Sequence, residues 1–235
     1  MQSDNGNKSD NGVLPIIGIP MERSISYADD VLPWIIGIAQ QGWPFVQQGY
    51  TRTDVARNRF AKHLLQDDRF THLVMLDLDH EHPVGIVHQF GRMLAVRPDI
   101  KILSGLAYRR SEPYEPLMYI KDDEGAYYKL REWDKGAIIS VDAVGTPCIC
   151  IAREVFETLE FPWFTYDYSD AHNDMWITED IVFCESARAA GFKIYVDTRM
   201  VSPHLTIAKV DGVVFDNYCQ EFGLDENTIE IEEAG

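Results

Sequence analysis

No stretch of this sequence is long and apolar enough for a membrane span; its uninterrupted apolar runs fall well short of the ~20 residues a bilayer helix needs. The opening "MQSDNGNKSDNG" lacks the apolar core of a signal peptide. Cysteine is scarce. Cys148, Cys150, Cys184 and Cys219 show no CxxC spacing, which argues against a thiolate metal site and favours small buried thiols in a reducing compartment, so a cytoplasmic protein is expected. Positive charge is short too, with 21 Lys and Arg against 38 Asp and Glu and a formal charge of −17. That balance disfavours extended phosphate-backbone contacts, so nucleic acid is not an expected partner. A small phosphorylated ligand remains compatible with it, provided a divalent cation mediates the contact.

The chain of 235 residues suffices for one well-cored domain. Residues 1–12 contain "SDNG" twice (Ser3–Gly6 and Ser9–Gly12), and this polar, glycine-rich composition reads as a disordered tail. Residues 207–235, ending in "DENTIEIEEAG", read as an acidic C-terminal extension. Between them, strand and helix patterns alternate. Val13–Pro20 and Trp43–Tyr50 read as strands, Asp29–Gly42 as a helix. "TDVARNRFAKHLLQD" (Thr53–Asp67) has apolar residues at helical spacing, with Thr53 as a candidate cap. "HLVMLDLD" reads as a strand buried on both faces, followed by a helix from Pro83 to Val96 and a strand over Ile100–Arg110. This alternation predicts an α/β domain with a mostly parallel sheet. Beyond it, "EPLMYIKDDEGAYYKL" reads as a hairpin turning near Asp122–Gly125. "AIISVDAVGTPCICIA" reads as one or two strands and "EVFETLE" as a short helix. "TEDIVFCESARAAGF" reads as a helix capped at Thr178 and stopped by Gly191, and "KIYVDT" as a final strand.

The apolar run Leu73–Leu76 breaks abruptly into Asp77, Leu78, Asp79 and His80. In open α/β sheets, ligands bind beyond the carboxyl ends of the parallel strands. Two carboxylates two residues apart on a strand point the same way and repel, unless a cation or donor separates them. Mg²⁺ or Mn²⁺ suits such oxygen ligands and tolerates substrate phosphates. A strand end turning into a solvated loop explains the same residues without a metal.

"LVMLDLDHEHP" followed by a helix resembles the Asp-x-Asp segment of GT-A fold nucleotide-sugar glycosyltransferases, and further segments match in that family's order. "IIGIP" looks like the first strand and nucleotide-binding turn, and "TDVARNRFAKHLL" like the helix before the Asp-x-Asp strand. "DAVGTPCICIAREVFE" resembles the segment lining the acceptor side, "WITEDIVFCESARAAGFKIYVDT" the Glu-Asp helix and its strand, and "VSPHL" the late metal-binding histidine. The resemblance spans residues 13–206, with 13–110 as the nucleotide-sugar half and 111–206 as the acceptor half of a Rossmann-like GT-A domain.

The resemblance implies a glycosyltransferase moving a hexosyl or pentosyl group from a UDP- or GDP-sugar to a saccharide or glycoconjugate hydroxyl. It implies Mn²⁺ or Mg²⁺ on Asp79 and His204, with Asp77 nearer the ribose or binding through water. Pro20, Arg23 and Arg57 fall beside the nucleotide, though ion pairing accounts for the arginines equally. Asp180 or Glu179 would take the acceptor proton in an inverting enzyme; a retaining enzyme needs no such base. In "HEH", His80 and His82 could add ligands, against the plainer reading of a polar loop. The aromatic segment Phe161–Trp176, with Trp163, Tyr166, Asp170 and Trp176, suits sugar stacking and hydroxyl binding; filling the core is its plainer reading.

Other classes fit less well. A haloacid-dehalogenase-type phosphatase expects Thr or Val where Glu81 stands, and a nucleotidyltransferase expects a Gly-rich basic loop absent from "IPMERSISYADD". A non-catalytic nucleotide-sugar or carbohydrate-binding protein, and a phage-type DNA-base glycosyltransferase, are the remaining alternatives. Oligomeric state is not legible.

Overall fold

The apolar run before Asp77 forms a strand covered on both faces, and the domain is layered around it. The computed structural model describes residues 14–21, 28–49, 51–111, 113–168 and 177–206, together with 217, 220 and 221. The tail 1–12, Arg23, Asp170, Trp176, Cys219 and most of the acidic extension lie outside the described residues. Contacts divide the chain into Met1–Leu205 and Thr206–Gly235, and every strand and helix named below lies in the first unit.

Strand and helix alternate through β1 (Pro15–Met21), α1 (Ala28–Gln40), β2 (Phe45–Gly49), α2 (Thr53–Gln66), β3 (His72–Leu76), α3 (Ile86–Val96) and β4 (Ile102–Ala107). Short strands follow: β5 (Met118–Lys121), β6 (Tyr127–Lys129), β7 (Ile138–Val141), β8 (Ala143–Val144) and β9 (Cys148–Ala152). The order closes with α4 (Arg153–Thr158), α5 (Glu179–Ala189) and β10 (Ile194–Ser202). The main sheet has seven strands in the order β2-β1-β3-β9-β4-β10-β7. Five strands run in one direction, while β9 and β7 are reversed. A smaller antiparallel sheet, β6-β5-β8, carries the hairpin turned at Asp122–Gly125. There Gly125 takes a φ of 91°, and Asp122 Oδ1 accepts the Glu124 and Ala126 N–H groups.

Side chains alternate across the sheet as strand geometry requires. Leu73 and Met75 of β3 pack with Phe60 and Leu64 of α2, Phe156 of α4 and Phe183 of α5. Val74 and Leu76 pack on the other face with Trp34 and Ile38 of α1 and Phe90 and Leu94 of α3. Cys148 and Cys150 share that second face, and burial pushes the Cys148 thiol up to about 12.

Three expectations need correction. "AIISVDAVGTPCICIA" makes three strands. Asp142 accepts the Lys121 N–H at 2.6 Å and turns the chain from the main sheet into the small one, and Gly145–Pro147 turns it back. Thr53 does not cap α2; Arg52 holds the cap position without a side-chain hydrogen bond. The helix expected from Pro83 begins at Ile86, after a turn closed by the Ile86 N–H on the Pro83 carbonyl.

The pairing of β10 with β4 jumps in register. Asp197 pairs with Gly105 and Val201 with the next residue, Leu106, so Thr198–Met200 form a bulge on β10. Gly105 admits that bulge. A Cβ there would lie 2.7 Å from the Met200 carbonyl oxygen and 2.8 Å from Cys148 Sγ. Gly105→Ala should therefore lower unfolding free energy by about 1–3 kcal/mol, the usual cost of overpacking, read from urea denaturation. A wild-type midpoint would show that the bulge yields freely.

Candidate functional site

β3 ends at Leu76, and the Asp77 N–H adds one last rung to its ladder with β9, on the Pro147 carbonyl opposite it at 2.8 Å. Asp79 lies in the turn that follows, and the two carboxylates meet different partners. Asp79 Oδ2 faces His204 Nε2 at 3.1 Å, and its Oδ1 faces His80 Nδ1 at 3.0 Å. The segment after β10 is laid against this turn: the Leu205 N–H bonds the Asp79 carbonyl and the Glu81 N–H bonds the Pro203 carbonyl. The His80 and His204 rings stack with centroids 4.0 Å apart. One ligand atom each from Asp79, His80 and His204 lies within 4.8 Å of the others, a spacing that could hold a metal ion.

The imidazole of His204 is oriented from behind. Its Nδ1 lies 2.9 Å from the Tyr108 carbonyl, which can only accept, so Nδ1 carries the proton. Nε2 then turns a lone pair toward the Asp79 carboxylate. Two acceptors 3.1 Å apart need a proton or a cation between them. A carbonyl behind a histidine is also the usual arrangement for a metal ligand. Burial disfavours the His204 imidazolium, but Asp79 and the Tyr108 carbonyl outweigh it and raise the group above its ordinary value. Burial likewise opposes the charged form of Asp79, yet contacts with His204 and His80 hold its carboxyl well below the usual range.

His82 plays a different part. It is buried between Ser202 Oγ at Nδ1 (3.0 Å) and the Asp77 carbonyl at Nε2 (2.9 Å), edge-on to Trp34. Burial brings it down to about 3, so it is a neutral prop for the turn.

Asp77 belongs to a second cluster. Arg57, on α2 and only 4% exposed, donates from Nη2 to Asp77 Oδ2 at 3.2 Å and from Nη1 to the Thr146 carbonyl at 2.7 Å. Its Nε lies 3.3 Å from Glu179 Oε1 in an ion pair outside hydrogen-bond geometry. Tyr166 bonds the same glutamate. Burial raises both Asp77 and Glu179 above ordinary carboxylate values, with Arg57 pulling the other way. Among the described residues, the buried side-chain atoms without a hydrogen-bond partner are Arg57 Nε, Asp77 Oδ1, His80 Nε2 and Thr146 Oγ1. Such orphans are rare in folded proteins, and these belong to residues of the two clusters or their immediate partners.

The aromatic segment divides. Trp163 is 7% exposed, its indole donating to the Phe156 and Leu159 carbonyls, and Phe164 stacks on Phe183 at 4.6 Å. Trp163 is therefore a core residue in this structure, with no free ring face to offer a sugar. Asn58 fixes this stretch, accepting the Trp163 and Phe164 N–H groups and donating to the Phe164 carbonyl. Tyr166 lies farther along, with the Arg52 guanidinium 5.0 Å above its ring. Asp180 is partly exposed at the start of α5; its Oδ1 accepts from Thr178 Oγ1 and, at 2.9 Å, from the Ile181 N–H. Thr178 holds the cap position but spends its hydroxyl on Asp180. Pro20 is in β1, paired with Gln48.

His80, beside Asp79 in "HEH", joins Asp79 and His204 in this group, which its place in the sequence allowed but did not single out. Thr146 and the Tyr108 carbonyl carried no signal at all.

No family model matches this chain, and no curated protein is similar to it in sequence. Solved structures are similar in fold. A197 from STIV gives a TM-score of 0.59 at 18% identity, over 82% of this chain and 86% of that one. GalNAc-T7, solved with UDP, GalNAc and Mn²⁺, gives 0.58 at 11% identity over 86% of this chain. The alignment spans 45% of that chain, less than half its length. At such identities the likeness is one of fold: a GT-A-like α/β domain.

Arg57→Ala would leave Asp77 and Glu179 buried without their cation. It should cost about 3–5 kcal/mol, as breaking a buried pair does. Both carboxyls already sit above their ordinary values of 3.8 and 4.5. A raised folded-state value makes stability fall as pH rises through it, so the deficit should be larger at pH 7 than near pH 4. Denaturation at the two pH values measures this, and an equal deficit would show that the carboxylates are not the cause.

Proposed function

We propose that this protein is a metal-dependent glycosyltransferase. It takes a sugar from a nucleoside-diphosphate sugar, UDP- or GDP-linked, to a hydroxyl of a saccharide or glycoconjugate. The observation that carries the reading is the convergence of Asp79, His80 and His204 beyond the end of β3 in a GT-A-like fold. The solved GalNAc-T7 with UDP and Mn²⁺ supports the same class of donor and metal.

The donor set fits a divalent ion. Two imidazoles beside one carboxylate favour Mn²⁺ over Mg²⁺, which prefers oxygen alone. When bound, the cation would supply Lewis-acid neutralisation of the departing diphosphate. The chain's own groups do the rest. The Tyr108 carbonyl keeps the His204 proton on Nδ1, leaving Nε2 available. Arg57 keeps Asp77 and Glu179 paired at the seam between the two halves. Asp180, more open than Glu179, is the better candidate to take the acceptor's hydroxyl proton. Its Oδ1 is engaged with Thr178 and Ile181, which leaves Oδ2 for that proton. Tyr166, beside Glu179, is a candidate acceptor contact; Asp170 and Trp176, outside the described residues, are proposed with it from the sequence alone.

Calorimetry with Mn²⁺ plus UDP or GDP should show binding that Asp79→Ala abolishes. Affinity unchanged in EDTA would remove the metal from the reading. Mn²⁺ binding should also weaken as pH falls through the His204 value, which lies above 6.5, because a proton on Nε2 excludes the ion. With a donor and acceptor in hand, Asp180→Asn should lower kcat by roughly 10²–10⁴ with little change in Tm. Wild-type turnover in that variant would assign the proton elsewhere.

A further inference from the structure

Arg110 stands in the loop after β4, two residues beyond the Tyr108 carbonyl that orients His204. Its side chain is 60% exposed and its Nη1 lies 3.6 Å from Asp79 Oδ2. That oxygen is the one that faces His204 Nε2. One carboxylate oxygen therefore meets an imidazole and a guanidinium together. A divalent cation on Asp79 and His204 would need the same oxygen and would repel Arg110.

The repelled guanidinium has somewhere to go. Its stem is long and solvated, so a small swing keeps the charge close to Asp79. Arg57 is buried and committed to Asp77 and Glu179, and Arg109 turns aside toward Ser111 Oγ at 3.4 Å. Among the described residues, Arg110 is thus the exposed guanidinium beside the candidate metal ligands. Its planar fork matches two phosphate oxygens at once.

We propose that Arg110 is a diphosphate-binding residue that neutralises Asp79 in the ligand-free protein and transfers to the donor's diphosphate once the cation takes its place. This rests on the donor reading above. It predicts two effects of opposite sign from one substitution. Removing Arg110 removes a competitor of the metal and a partner of the phosphates.

The test titrates Mn²⁺ alone, followed by the electron paramagnetic resonance of the free ion, and then UDP and GDP at saturating Mn²⁺, followed by calorimetry. At low salt Arg110→Gln should bind Mn²⁺ roughly two- to tenfold more tightly, yet bind the nucleoside diphosphate ~10-fold or more weakly. Arg110→Lys should restore the wild-type Mn²⁺ affinity and only part of the nucleotide affinity, because an ammonium lacks the fork. Arg109→Gln makes the same change in net charge and should leave both constants near wild type. Two affinities moving in the same direction, or Arg109→Gln reproducing the Arg110→Gln pattern, would overturn the assignment. Nucleotide binding that Arg110→Gln leaves unchanged would overturn Arg110's part alone. A wild-type protein that takes Mn²⁺ but neither UDP nor GDP would overturn the donor reading and this part with it.

Discussion

A guanidinium buried between three elements is the constraint around which this site is arranged. Arg57 reaches from α2 to Asp77 beyond β3, to the Thr146 carbonyl before β9 and to Glu179 at the start of α5. A buried cation must be paired, so these segments converge or the charge goes uncompensated. The net worth of such a cluster to stability is small against an apolar replacement of the same volume. Its service is to specify one arrangement, because only that arrangement satisfies it. The next residue, Asn58, does comparable work without charge. Its Oδ1 accepts the Trp163 and Phe164 N–H groups, and its Nδ2 donates to the Asp54 and Phe164 carbonyls. All four of its hydrogen-bonding positions are used, so rotating the amide would break every one.

The two carboxylates of Asp77-Leu78-Asp79 show two answers to one electrostatic problem. Asp77 is answered by a fixed guanidinium and Asp79 by imidazoles, whose charge depends on a proton that a metal can replace. The first answer is permanent and the second is exchangeable, which suits a structural role for Asp77 and a ligand-binding role for Asp79. In a chain carrying −17, the exchangeable compensation sits at one carboxylate of the pair, the one whose neighbours could hold a metal ion.

Much of the fold was legible because its elements carry strong local patterns. The run Leu73–Leu76, buried on both faces, and the helical spacing of Ala56, Phe60 and Leu64 each match one kind of element. The reversal of β9 between β3 and β4 was not legible, since "CICIA" has the same apolar character whichever way it runs. Its direction is set by the return through Gly145–Pro147 from the small sheet. At the candidate site, motif order singled out Asp79 and His204, and the fold brings these two side chains to 3.1 Å of each other. His80 was obscured because a histidine in a charged loop looks solvated until its neighbours bury it. Trp163 was misread for the opposite reason: an aromatic among aspartates looks like a sugar platform, yet the Asn58 amide draws its backbone into the core.

The bulge on β10 has a further meaning as a ruler. Thr198–Met200 occupy no register on β4, so Ser202 stands opposite Ala107 and the chain delivers His204 beside His80. In regular pairing Arg199 would stand opposite Ala107, and His204 would be carried roughly 10 Å farther along the strand direction. Each residue gained or lost in the bulge would move a different side chain up to Asp79. The imidazole at that position is therefore chosen by counting as much as by residue type. Two chains with the same aspartates and the same late histidine, but bulges of different length, would not share a ligand set.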